Sequence, residues 1–153
     1  MKPVVLLSIA CLASSLQAEA LAPEALASET PASETPAESR REQAVTLAVD
    51  GQYQQALSIF LDLVREAPDD PALNYYTGLT LVRLKRVGEG MSYFERSIRQ
   101  KAPFPQPYVE LAGLYLDKKL RTEAARIVEQ GLQLFPKHKP LLALKQRLEE
   151  EKQ

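Results

Sequence analysis

Residues 105–138 read PQPYVELAGLYLDKKLRTEAARIVEQGLQLFPKH, and this stretch decides the fold. Apolar residues recur three and four positions apart on both sides of the polar residues 117–119, which is typical of two amphipathic helices joined by a turn. In the second half, Val128 follows Ala124 by four residues and Pro136 follows Val128 by eight. A proline at that place ends a helix, because it cannot donate a backbone hydrogen bond and clashes with the preceding turn. The stretch therefore predicts a hairpin of two antiparallel helices.

The same pattern recurs upstream at a fixed period. Ala124 is preceded by Gly90 and Ala56 at steps of 34 residues. The matching four-residue and proline positions are Phe94 with Ala102 and Pro103, and Phe60 with Pro68. A period of 34 with two apolar helical stripes indicates stacked helical hairpins.

The repeated unit resembles the tetratricopeptide repeat, whose pattern runs W-x2-L-G-x2-Y, then A-x3-F, then P. The third unit reads Tyr108-x2-Leu111-Ala112-x2-Tyr115 before Ala124-x3-Val128. The departures are Arg40 and Asn74 at the first aromatic place and Gly90 at the buried alanine. The resemblance implies an all-α, right-handed α-solenoid with units at 37–70, 71–104 and 105–138. We expect helices at 39–50, 53–66, 71–84, 87–101, 107–118 and 121–134.

Residues 139–153, KPLLALKQRLEEEKQ, predict a last helix without a partner. Leu141, Leu144 and Leu148 share one face, and charged residues cover the rest. Repeat arrays need a polar cap at their ends, so we interpret this helix as a cap. The alternative is a helix that binds a partner.

The first twenty residues, MKPVVLLSIACLASSLQAEA, have the features of a secretory signal peptide. A lysine precedes a short apolar run, and Ala18-Glu19-Ala20 supplies small residues at a cleavage site. The run is too short to span a bilayer. We therefore expect export to the periplasm. Cys11 ends a sequence similar to a bacterial lipoprotein cleavage box, so lipid anchoring through Cys11 is the alternative.

Residues 21–38, LAPEALASETPASETPAE, predict a disordered acidic linker. The pentapeptide Ala-Ser-Glu-Thr-Pro occurs twice, and large apolar residues are absent after Leu26. Such a segment cannot bury enough apolar surface to offset the entropy lost on ordering. A spacer is the simpler interpretation, and a docking motif is the alternative.

Composition excludes several classes of function. The chain has 153 residues, 19 Lys+Arg against 20 Asp+Glu, one His and one Cys. This balance lacks the basic excess of a nucleic-acid-binding domain, and one Cys forms neither an internal disulfide nor a thiolate metal cluster. His138 has no catalytic partner nearby in sequence, and no glycine-rich loop precedes a helix. We expect a protein that is not an enzyme, with no cofactor, no metal and no transmembrane span.

Function is therefore expected to reside in a surface. In the family it resembles, the first helix of each unit lines a concave groove that binds segments of other proteins. Transferred by position, the predicted groove comprises Arg41, Val45, Val49, Tyr75, Tyr76, Leu79, Val82, Arg83, Val109 and Leu116. Ala48, Gln106, Glu110 and Gly113 hold further groove positions. The subclass that clamps a C-terminal carboxylate with basic and amide side chains is not matched, since only Arg41 has the required charge.

Tyr75 and Tyr76 are the predicted anchors, because aromatic side chains dominate such contacts. On this interpretation, Tyr75→Ala weakens a partner more than tenfold and leaves folding cooperative. The alternative is that some of these apolar residues belong to the core.

A second predicted feature is a basic rim, comprising Arg83, Lys85, Arg86, Lys118, Lys119 and Arg121. These cations end the first helices of units two and three, where they suit the helix dipole. The alternative is a contact for an acidic partner or for envelope polyanions.

The sequence thus predicts an interaction adaptor of the cell envelope, whose partner is another envelope protein. The alternatives are a self-assembling repeat protein, and a lipid-anchored factor that assembles an outer-membrane, pilus or secretion complex.

Overall fold

The computed structural model describes residues 35–150, which form seven α-helices and, within that range, no strand. The helices are α1 Pro36–Val49, α2 Tyr53–Glu66, α3 Pro71–Arg83, α4 Val87–Arg99, α5 Gln106–Asp117, α6 Arg121–Leu134 and α7 Lys139–Glu150. The all-α class and the three hairpins are confirmed. The predicted signal peptide, Cys11 and residues 21–34 of the predicted linker lie outside the described residues.

The first helix begins earlier than predicted. We expected a linker to residue 38 and a helix from 39, whereas α1 begins at Pro36. The Thr35 hydroxyl accepts a hydrogen bond from the Glu38 backbone N–H at 3.2 Å, and the Glu38 carboxylate accepts one from the Thr35 N–H at 2.8 Å. This reciprocal pair is a capping box, and Pro36 occupies the first helical position, where its missing donor costs nothing.

Each helix packs against its neighbour in sequence, and α7 also contacts α5. Phe60, Phe94 and Val128, which the sequence predicts to fill the space between units, are all buried. Burying one such side chain contributes about 1.5–3 kcal/mol, so stacking supplies the stability that short single helices lack.

Unit two brings its two helices closest together. A Cβ atom added at Gly78 would lie 2.9 Å from the Gly90 carbonyl oxygen, and one at Gly90 would lie 2.8 Å from the Gly78 carbonyl oxygen. Gly90, which departs from the alanine of the resembled pattern, is therefore accommodated by a glycine on the facing helix. Units one and three hold fully buried alanine pairs at the same two places, Ala44 with Ala56 and Ala112 with Ala124.

The three turns within units share one backbone conformation. Gly51, Lys85 and Lys119, which are 34 residues apart, have φ values of 78°, 66° and 62°. In each turn, the next N–H donates to the carbonyl of the preceding helix five residues back, at 2.8–2.9 Å. This is the Schellman ending, in which a left-handed residue closes the helix.

Asn74 occupies the place of an aromatic residue and is fully buried. Its side-chain amide donates to the Asp70 carbonyl at 2.8 Å and to the Gln100 side chain at 2.9 Å. Gln100 in turn donates to the Pro68 carbonyl at 2.8 Å. Asn74 thus fastens the turn between α2 and α3 to the end of α4.

The last helix covers the end of the stack. Leu141 and Leu148 are buried in one cluster with Tyr108 and Ile127, and a Cβ added at Gly131 would lie 2.9 Å from the Leu141 side chain. Leu142, on the opposite side of α7, is 44% exposed. Within residues 35–150, no helix is long and apolar enough to cross a membrane.

Candidate functional site

An open cleft lies between the first helices of units one and two. It has a volume of about 380 Å³. We call it the α1/α3 cleft; its lining residues are Val45, Ala48, Val49, Tyr53, Phe60, Tyr76, Leu79, Thr80 and Arg83. It brings together five predicted groove residues: Val45, Val49, Tyr76, Leu79 and Arg83. Sequence reasoning missed Tyr53, Phe60 and Thr80, because the second helix and the buried side of α3 were assigned to the core.

The inner wall of the α1/α3 cleft is aromatic. Phe60 of α2 and Tyr76 of α3 stack with ring centroids 5.8 Å apart and planes within 8°. Phe60 is buried and Tyr76 is half-buried, so this pair presents a firm apolar surface rather than mobile side chains. At the edge of the cleft, Val49 is 81% exposed. An apolar side chain of that exposure beside a cleft gains from being covered.

Arg83 is the only charged residue among those that line the α1/α3 cleft. No described residue that lines it carries a carboxylate. A bound segment would therefore place apolar side chains between α1 and α3 and a negative charge beside Arg83.

Tyr75 does not line the α1/α3 cleft. Its ring packs within 5.9 Å of the Phe94 ring centroid and within 5.7 Å of that of Phe104. Burial, followed by the nearby Glu110 carboxylate, raises the pKa of the Tyr75 phenol. Tyr75 supports the α3–α5 side of the core, so the expectation that Tyr75→Ala leaves the fold undisturbed is wrong, and Tyr76 is the better anchor.

Three other predicted groove residues face elsewhere. Leu116 is only 8% exposed and belongs to the core. Val82 faces the second helix of its own unit, since its Cγ2 atom would lie 2.7 Å from a Cβ added at Gly90. Arg41 lies near the start of α1 with its guanidinium 3.9 Å from the Asp70 carboxylate. One residue of error in register turns a helical side chain by about 100°, which moves it from groove to core.

A second cleft, of about 490 Å³, lies between α5 and α7. We call it the α5/α7 cleft; its lining residues are Val109, Glu110, Gly113, Leu114, Asp117, Pro140, Ala143, Leu144 and Arg147. Val109 is the one committed groove residue found there. The α7 residues were missed because α7 was interpreted only as a cap.

The signal for that second cleft was present in the repeat period. Adding 34 to the groove positions 106, 109, 110 and 113 gives Pro140, Ala143, Leu144 and Arg147. These four are the α7 residues that line the α5/α7 cleft. The last helix thus repeats the position of a first helix, in addition to covering the end of the stack.

The predicted basic rim is not a row of equivalent cations. The Arg86 guanidinium donates twice to the Glu89 carboxylate at 2.7 Å, and Arg121 donates to the Leu148 carbonyl at 2.8 Å. Lys85 and Lys119 occupy the left-handed positions of two turns. Their charges lie at helix C-termini, where they complement the helix dipole.

The described residues hold no group of three or more His, Cys, Asp or Glu side chains placed to bind a metal. His138 lies in the turn before α7, where its backbone N–H donates to the Phe135 carbonyl at 3.1 Å. The geometry of residues 35–150 is that of a surface with apolar clefts.

No family model and no curated protein matches the sequence. Solved structures match its fold. The Yersinia enterocolitica type III secretion chaperone SycD, in complex with a peptide of the translocator YopD, superposes with a TM-score of 0.70 at 14% identity, over 76% of this chain and 94% of that one. The Arabidopsis OM64 TPR domain gives 0.68 at 13% identity, over 75% and 95%.

A third match is the second TPR domain of human RPAP3 in complex with an HSP70 peptide, with a TM-score of 0.65 at 13% identity, over 74% of this chain and 94% of that one. Each of these structures is a repeat domain of paired helices, and their likeness agrees with the period of 34 and with the hairpin packing. The chain therefore has the fold of a tetratricopeptide-repeat domain.

Proposed function

We propose that this protein is a non-catalytic adaptor of the cell envelope that holds a segment of another protein in the α1/α3 cleft. The observation that carries the proposal is the cleft itself. It combines a rigid aromatic wall, an exposed Val49 and a single cation, Arg83. Pockets with these features are typical of anchor sites for apolar side chains at protein interfaces.

The matched folds support this use of the surface. SycD and RPAP3 were both solved with bound peptides, from a translocator and from HSP70. The present chain would bind differently from a carboxylate clamp, because the clamp positions hold Val45, Tyr76 and Glu110 rather than basic and amide side chains. Apolar burial would supply most of the affinity, at about 1.5–3 kcal/mol for each buried aliphatic or aromatic side chain.

The envelope location rests on the N-terminal sequence. Lys2, the apolar run and Ala18-Glu19-Ala20 follow the order of a secretory signal. Mass spectrometry of the protein from its own cells tests this directly. A chain that starts at Leu21 supports soluble export, an acylated Cys11 supports a lipid anchor, and an intact Met1 contradicts both.

The interaction is tested by site-specific photocrosslinking in the cells that make the protein. A photoreactive residue at Val49 reports on the α1/α3 cleft, and one at Ser92, which is exposed on α4 and does not line it, is the matched control. We expect one partner to crosslink from position 49 and not from position 92. Arg83→Glu should reduce that product roughly tenfold, because it places a negative charge where the partner's carboxylate lies.

Arg83 and Val49 are both exposed, so substitutions there should leave the unfolding midpoint unchanged. The same products from positions 49 and 92, or a product that Arg83→Glu leaves unaltered, would contradict binding through this cleft.

A further inference from the structure

The segment that precedes the first described residue has the charge that the α1/α3 cleft lacks. Residues 21–34 read LAPEALASETPASE, with carboxylates at Glu24, Glu29 and Glu34 and no Lys or Arg. The α1/α3 cleft has one cation, Arg83, and its remaining lining residues are uncharged. The apolar residues of the segment are equally localised, since its two leucines, Leu21 and Leu26, flank Glu24. Segment and cleft are complementary in both charge and apolar character.

The covalent connection brings the segment within reach of the cleft. It joins α1 at Thr35, and α1 forms one wall of the cleft through Val45 and Val49. At the helical rise, Val45 lies about 15 Å along α1 from Thr35 and Val49 about 21 Å. The nine residues from Leu26 to Thr35 span up to about 30 Å when extended. Leu26 can therefore enter the cleft without any change in residues 35–150.

The geometry points to residues 21–26 of the same chain as an intramolecular occupant of the α1/α3 cleft. A leucine of the segment lies between α1 and α3, Glu24 lies beside Arg83, and a partner must displace both. This inference rests on the proposed function, because the cleft is the same site and its self-occupancy regulates access to it.

Tethering makes even a weak contact matter. A short flexible connection holds a segment at an effective concentration on the order of millimolar near its site. A contact with a dissociation constant of about a millimolar would then fill the cleft about half of the time. The apparent affinity of a partner falls in proportion to the fraction of clefts left open, which here is about twofold. The segment would thus exclude weak, incorrect ligands and yield to a strong one.

The absence of tryptophan from the chain provides a clean reporter. Val49→Trp places a unique indole at the exposed edge of the cleft, and Leu142→Trp, at an exposed position on α7 outside the cleft, is the control. The protein is purified as the cell produces it, and quenching by acrylamide is measured. Replacing Leu21 and Leu26 by Ser should raise the quenching constant of Val49→Trp about twofold. The constant of Leu142→Trp should stay the same.

Charge reversal tests the second contact. Arg83→Glu in the Val49→Trp background should raise quenching as the double serine change does, and adding Glu24→Arg should restore the shielding. Glu34→Arg, whose carboxylate is adjacent to Thr35 and too near α1 to reach Arg83, should not restore it. Restoration by Glu24→Arg alone supports the pairing of Glu24 with Arg83.

Two outcomes overturn the inference. Equal quenching of Val49→Trp with and without the leucine changes would show that the segment does not cover the cleft. Shielding that increases with protein concentration would assign the cleft to a second copy of the chain. Either result leaves the adaptor function standing if position 49 still crosslinks a partner. Conversely, segment-dependent shielding without a crosslinked partner would remove the adaptor function and leave the occupancy.

Discussion

At the scale of single residues, the Gly78–Gly90 contact sets how closely α3 and α4 approach. The helix propensities alone favour alanine at both places by about 1 kcal/mol each. The geometry opposes it, since a Cβ at Gly90 would lie 2.7 Å from the Val82 Cγ2 atom and 2.8 Å from a backbone oxygen. Backbone atoms cannot move aside as a side chain can, so steric overlap outweighs propensity here.

We therefore predict that Gly90→Ala lowers the free energy of unfolding by about 2 kcal/mol, the usual cost of overpacking a core. Urea denaturation followed by circular dichroism measures this change.

Gly88 is the matched control, because it lies in the same helix and a Cβ there would meet nothing within 4 Å. Gly88→Ala should raise the free energy of unfolding by up to about 1 kcal/mol. If both alanines stabilise the protein, the close approach of α3 and α4 does not exist in solution.

At the scale of helices, one buried hydrogen bond links unit two to unit three. The Tyr115 hydroxyl on α5 donates to the Glu95 carboxylate on α4 at 2.6 Å. This bond, together with burial, raises the pKa of Tyr115 to about 12 from a usual value of 10.0. The protonated phenol is favoured in the folded state, so its contribution to stability is complete below pH 10 and is lost as the pH rises toward 12.

We predict that Tyr115→Phe removes about 1.5 kcal/mol of stability at neutral pH and makes the fall in stability between pH 10 and 12 shallower. Denaturation curves at a series of alkaline pH values measure both effects.

Glu95→Gln should lower the pKa of Tyr115 toward its usual value, because the carboxylate that accepts the phenolic proton is gone. The ultraviolet absorbance of tyrosinate reports this titration. An unchanged Tyr115 ionisation in Glu95→Gln would show that the α4–α5 hydrogen bond is not formed.

The order and type of the helices could be predicted from the sequence, because prolines and a period of 34 mark every hairpin. The start of α1 could not, since Thr35-Pro36 repeats the sequence Thr30-Pro31. The two copies differ downstream: Glu38 follows Thr35 by three residues and closes a capping box, whereas the residue three after Thr30 is Ser33.

The candidate site could be predicted only in part. Side chains at 48, 82 and 116 hold the same place in the repeat, yet Ala48 lines a cleft, Val82 faces Gly90 and Leu116 is in the core. The glycine pair brings α4 close to Val82, and such a local change in helix spacing cannot be derived from a repeat pattern. Pattern gives the face of a helix, whereas packing decides which residues on it remain accessible.

At the scale of the whole molecule, α7 closes the stack with a polar surface. Leu141 and Leu148 are buried, while most of the other α7 residues are polar and exposed. Gln146 and Glu149 hold the places that Ala112 and Tyr115 hold in unit three, so α7 does not offer a further helix the buried contacts that α5 makes. This arrangement disfavours end-to-end stacking at α7, which is one route to the self-assembling alternative.

We predict that a chain shortened after His138 loses about 3–6 kcal/mol of stability, because the side chains of Leu141 and Leu148 no longer bury their surface. The shortened chain should also associate, since its uncovered core residues include Tyr108 and Ile127. Denaturation and light scattering measure the two effects.

The full chain should keep one mass over a wide range of concentration, and Leu142→Ala, at an exposed position on α7, should change stability by less than about 0.5 kcal/mol. A full-chain mass that increases with concentration would favour the self-assembling protein.

The shared left-handed turns at Gly51, Lys85 and Lys119 make the hairpins interchangeable modules. A second copy of residues 105–138, spliced in ahead of Lys139, would meet the same junctions that the natural copy meets on both sides. The elongated protein would gain one extra rung without redesign of any joint, and ligand length could then be matched to rung number.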